Sequence, residues 1–84
     1  MKNSIPPELI WACRRGMLEL DMLLKGFLTQ EYPHLNKEEQ IAFAQLLTCQ
    51  DQDLFLWLFA GAIPAETRLI DVINKIRSYA QSRF

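Results

Sequence analysis

The chain has little of what catalysis, metal binding or membrane insertion requires. Only one histidine occurs among its 84 residues, His34, and it falls in a polar turn, where a lone imidazole is read as solvated. The two cysteines, Cys13 and Cys49, are far apart and form no CxxC. Neither a zinc site nor a disulfide framework is therefore indicated, and both are read as small hydrophobes in a reducing compartment. No Gly-rich phosphate loop, HExxH or GxSxG is present. A dyad of His34 with either thiol is disfavoured because both cysteines sit on or beside apolar helix positions. No catalytic residue and no enzymatic activity are expected.

Basic charge in excess is also missing. Nine Lys and Arg against ten Asp and Glu give a net charge of -1, which offers no drive toward nucleic acid or anionic lipid. The longest apolar run, residues 54–60, is far short of the roughly 18 residues a membrane span suggests. The N-terminus lacks the apolar run of a signal peptide and the character of a transit peptide, so a cytoplasmic location is expected. Half the residues are nonetheless hydrophobic, enough for one compact domain over residues 1–84.

What is present is helical periodicity. Pro6 and Pro7 start a first helix that is expected to run to about Arg15, with Gly16 as a left-handed stop. Met17, Leu20, Leu24, Phe27 and Leu28 form the core stripe of a second helix reaching Tyr32, which Pro33 pushes out of helical geometry. Asn36 and Glu39 read as a capping box opening a third helix to about Thr48, with Phe43, Leu46 and Leu47 inward. Asp51 is expected to cap a fourth, ending at Gly61. Its "LFLWLFA" is apolar all round, which predicts a central helix anchored by Trp57. A fifth follows Pro64 with Leu69, Val72, Ile73 and Ile76 at helical spacing and an Asp71 to Lys75 pair. The tail, 81–84, should fray. No strand-like alternation occurs, so the fold class is all-α, a compact bundle of five short helices.

The stretch "RRGMLELD" concentrates charge at the turn between the first two helices, and two readings stand side by side. In one, Arg14 and Arg15 complement a helix dipole, Gly16 stops one helix and caps the next, and Glu19 stands at N3. In the other, Leu18 and Met22 face away from the core stripe beside Glu19 and the guanidiniums, making a mixed surface suited to a protein partner. Trp11 lies off the Leu9/Cys13 face and is either a core tryptophan or an aromatic anchor of that surface. Asp21 is read as orienting one arginine.

"WACRRGMLELD" resembles the signature of the small succinate dehydrogenase assembly factors, whose hallmark is R-G-x-x-E, here Arg15, Gly16 and Glu19. The resemblance extends through "EYPHLNKEE" and "LLTCQDQDLFLWL" to the last helix, with Gln52 standing where such proteins often carry proline. It implies a bacterial, chaperone-like protein that binds the flavoprotein subunit of succinate dehydrogenase, and of fumarate reductase, and promotes covalent attachment of FAD. Arg15, Gly16 and Glu19 would form the contact surface, with Trp11, Arg14, Met17, Leu18 and Met22 around it. The factor would carry no cofactor of its own, since FAD belongs to the partner, and neither nucleic acid nor membrane insertion is implied. A role as antitoxin to a membrane-associated toxin, a label given to some bacterial members, stays open as the alternative.

Overall fold

Pro7 at the first helical position, where no N–H is needed, opens the first of five helices in a computed structural model that describes residues 5–83. Residues 1–4, within the stretch read as leaderless, and Phe84, the end of the tail expected to fray, lie outside the described residues. The helices are α1 (Pro7–Ala12), α2 (Leu18–Gln30), α3 (Lys37–Leu46), α4 (Asp51–Phe59) and α5 (Ile70–Arg83), and 3-10 turns at Tyr32–His34 and Thr67–Leu69 lead into α3 and α5. There is no strand among the described residues. The Cα radius of gyration of 11.7 Å matches the roughly 12 Å expected of a compact chain this long.

The capping box forms as the sequence indicates. The Glu39 N–H donates to Asn36 Oδ1 at 2.8 Å and the Asn36 N–H to Glu39 Oε1 at 2.9 Å, satisfying two donors that a helix start leaves open. Other boundaries differ. Helix α1 ends at Ala12, not near Arg15, because the Arg15 side chain takes the Ala12 carbonyl. Gly16 is not left-handed; the positive-φ glycine of the described residues is Gly61, at 83°. There the Ala62 N–H turns back to the Leu56 carbonyl at 2.9 Å, closing α4 three residues past its last helical position. Helix α2 starts after an N-cap at Met17 that has no side-chain cap. At its far end the chain tightens into the Tyr32–His34 turn and does not become extended at Tyr32, with Tyr32 itself buried. Pro33 falls within the first two positions of that turn, where a missing N–H costs nothing.

The core centres on α2, which buries Leu20, Leu23, Leu24, Phe27 and Leu28. Leu23 joins the expected stripe, and Met17 is only half-buried. Phe27 meets Phe43 of α3 at 5.4 Å between ring centroids, and Tyr79 of α5 stands edge-on to Phe27 at 5.8 Å. Val72, Ile73 and Ile76 close the core from α5. Helix α4 is not central: only Leu54 and Leu58 are buried, Trp57 is half-buried, and Phe55, Leu56 and Phe59 are exposed. An all-apolar run placed it inside, but the bundle covers one face only. The Asp71 to Lys75 pair does not form, and Lys75 instead reaches Glu39 of α3 at 3.4 Å. Residues 81–83 of the expected frayed tail continue α5.

Candidate partner-binding site at the arginine-glycine turn

Five residues separate α1 from α2, and no repeating backbone hydrogen bonds fix their path. Their order comes from side chains. The Arg15 guanidinium donates from Nε to Asp51 Oδ1 at 2.7 Å, from Nη1 to the carbonyls of Ala12 and Leu47 at 2.9 Å each, and from Nη2 to the Cys49 carbonyl at 2.5 Å. One side chain thus serves carbonyls left open at the ends of α1 and α3 and pairs with a carboxylate at the start of α4. It is only 12% exposed. Two carboxylates then hold the main chain: the Arg15 N–H donates to Asp21 Oδ2 at 3.2 Å, and the Met17 N–H to Asp51 Oδ2 at 3.3 Å. The hydrogen bond from Arg15, followed by those from the Met17 and Gly16 N–H groups, keeps the Asp51 carboxyl below the usual carboxylate range against a smaller opposing effect of burial.

Asp51 therefore does not act as the N-cap of α4. That position is Gln50, and Asp51 is the first helical residue, its side chain turned back to the arginine. Asp21 does orient Arg15, but through the backbone N–H, while its other oxygen faces Lys25 at 3.7 Å.

Outward from this anchored turn lies an apolar surface. Trp11 is 68% exposed, Leu18 68% and Met22 52%, so Trp11 is not a core tryptophan. The Arg14 guanidinium lies over its ring, 5.4 Å from the centroid, a contact worth about 0.5 to 1 kcal/mol at an exposed position. Ile10, exposed on the same helix as Trp11, was not singled out by the sequence. Glu19 is exposed in the first turn of α2, one position nearer the helix start than N3, and its side chain makes no hydrogen bond or ion pair among the described residues. A Cβ on Gly16 would meet Asp51 Oδ2 at 3.8 Å, an ordinary contact. With no positive φ either, nothing inside the described structure demands glycine there.

The thiols are placed differently. Cys13 is fully buried with Sγ 3.6 Å from the Leu24 carbonyl, and burial pushes its pKa up to about 12. Cys49 is half-buried, its thiol raised mainly by burial and then by Asp53. Both are free. His34 is exposed and lines a groove with Phe27, Glu31, Lys75 and Tyr79, to which neither cysteine contributes. Among the described residues no three His, Cys, Asp or Glu converge on a metal position, and no helix is long and apolar enough to cross a membrane.

Fold and site together define a small all-α protein whose most differentiated surface is an arginine-anchored turn flanked by exposed apolar side chains. Residues 8–80 match the family described as the flavinator of succinate dehydrogenase, and the chain belongs to that family. It is similar to proteins named FAD assembly factor SdhE. The one from Legionella pneumophila strain Paris is 41% identical over 78 residues, 93% of this chain and 98% of that protein. The one from Pseudomonas savastanoi is 41% identical over 76 residues, 90% of each. The one from Idiomarina loihiensis is 45% identical over 67 residues, 80% of this chain and 74% of that protein.

Proposed function

We propose that this chain is a non-enzymatic assembly factor of the bacterial cytoplasm that binds the flavoprotein subunit of succinate dehydrogenase, and of fumarate reductase, and promotes covalent attachment of FAD to it. The docking region is the turn that Arg15 shapes and on which Gly16 and Glu19 face outward, with Trp11, Arg14, Met17, Leu18 and Met22 around it. The observation that carries the reading is the contrast within that turn: an arginine spent on holding shape beside an exposed glycine, a glutamate whose side chain the fold leaves unpaired, and exposed apolar side chains. Large exposed apolar groups beside unpaired charge suit a protein partner. Family membership supplies the partner class.

The factor has no need to touch the reacting bond. If it binds one arrangement of the flavoprotein more tightly than another, it shifts the population by that difference, about 1.4 kcal/mol for each tenfold. FAD is then the partner's group throughout, and this chain supplies surface. The test is to refold or express the flavoprotein subunit with and without this chain and to measure flavin fluorescence that stays with the denatured polypeptide. Bound flavin should rise with the chain present, and less so with Glu19→Ala. Equal flavin in both samples would sink the proposal.

A further inference from the structure

We propose that Asp51, which lies on α4 and outside R-G-x-x-E, is a positioning residue of the binding turn, and that Arg15 acts through it without touching the partner. The inference rests on the reading that this turn is where the flavoprotein docks. A guanidinium has five N–H donors. Four hydrogen bonds engage it already, to Asp51 Oδ1 and to the carbonyls of Ala12, Leu47 and Cys49. With the side chain 12% exposed, little of it is left to pair with a carboxylate on another protein. The motif thereby divides into a residue that shapes, Arg15, and residues that face outward, Gly16 and Glu19.

The shape is imposed from a distance. Helix α2 has no side-chain cap at its start, so no local capping bond holds Met17. Its N–H is held by Asp51 Oδ2, 34 residues further along the chain, while the other oxygen of that carboxylate holds Arg15. Asp21 fixes the Arg15 N–H from the α2 side. The direction in which Gly16 and Glu19 face a partner is therefore tied to the seating of α4.

A double-mutant cycle tests this. Asp51→Asn keeps size but removes the charge, and Arg15→Lys keeps charge but cannot span four acceptors. Affinity for the purified flavoprotein subunit of succinate dehydrogenase is measured well below every variant's melting temperature, with Ile76→Val as a control destabilised in the remote core. Each single variant should bind about tenfold or more weakly, and the double variant no more weakly than the weaker single, because the pair acts as one unit. Ile76→Val should bind within about twofold of wild type. If the double loss is instead the product of the two, Arg15 contacts the partner and the proposal is wrong. Binding by a folded Asp51→Asn like that of wild type also overturns it. Should Asp51→Asn not fold, Asp51→Glu, which keeps the charge but displaces both oxygens, takes its place in the same cycle.

Amide spectra of the free proteins separate this inference from the functional reading. In Asp51→Asn the Gly16, Met17 and Glu19 amides should shift while those of Val72 to Ile76 stay. Unshifted turn amides overturn the positioning role whether or not the partner binds. A wild-type chain that fails to bind the flavoprotein overturns the functional reading instead.

Discussion

Arg15 has two prices in stability, depending on whether it is read from the sequence or from the structure. As a cation in the last turn of a helix it would contribute about 0.3 to 1 kcal/mol. As the observed side chain, paired with Asp51 and bonded to three carbonyls, its removal leaves a partly buried carboxylate without its cation and helix-end carbonyls without that donor, a loss of about 3 kcal/mol. Arg15→Ala should therefore melt more than about 10 °C lower, and a melting point within a few degrees of wild type would show the network to be marginal. The carboxylate gives a pH signature. Because the folded-state pKa of Asp51 is depressed, its contribution is fully present above the unfolded value of about 3.9 and is lost as pH falls through the folded value. Acid unfolding followed by circular dichroism should show a smaller loss of stability as pH falls below about 4 in Asp51→Asn than in wild type. Cys13 runs the other way: its pKa is raised from 9.0 to about 12, so stability holds below about pH 9 and falls as pH rises toward 12. At neutral pH, alkylation should mark Cys49 well before Cys13, and mass mapping that finds Cys13 modified first would contradict its burial.

At the scale of elements, what was legible in the sequence was what is local. The Asn36/Glu39 box needs only residues three apart, and the inward faces of α3 and α5 follow from spacing alone. What was not legible depends on distant partners. Nothing in a run reading "LFLWLFA" tells which side the bundle will cover, and Asp51 at a helix start reads as a cap until Arg15 is seen to reach it across the fold. Of the candidate site, the exposure of Glu19, Leu18 and Met22 was legible from helical phase, whereas the Asp51 carboxylate that holds the turn was not. The displacement of α4 to the periphery changes the expected cost of Trp57→Ala. A fully buried aromatic would lose about 3 to 5 kcal/mol; a half-buried Trp57 should lose about half of that, less than Leu54→Ala at the fully buried position beside it. Denaturant titrations of both variants check the order.

For the molecule as a whole, the proposed surface assigns folding and partner recognition to different atoms of the same turn, and the two should separate experimentally. The Glu19 side chain makes no hydrogen bond or ion pair among the described residues. Its contribution to folding is confined to favourable placement in the first turn of α2, worth about 0.3 to 1 kcal/mol. Glu19→Ala should thus keep its helical circular dichroism and melt within about 8 °C of wild type. On the proposed surface the same change removes a charge from the centre of an interface, where such truncations commonly cost about 2 kcal/mol or more. Affinity for the flavoprotein subunit should accordingly fall by more than about tenfold, mostly through faster dissociation. Arg15→Ala, by contrast, should lose stability and affinity together, because shape and recognition fail at once. Measured side by side by calorimetry and surface binding, the two variants give different ratios of lost affinity to lost stability. If Glu19→Ala binds like wild type, the outward half of the motif is not the contact surface, and the apolar residues Trp11, Leu18 and Met22 become the first positions to substitute next.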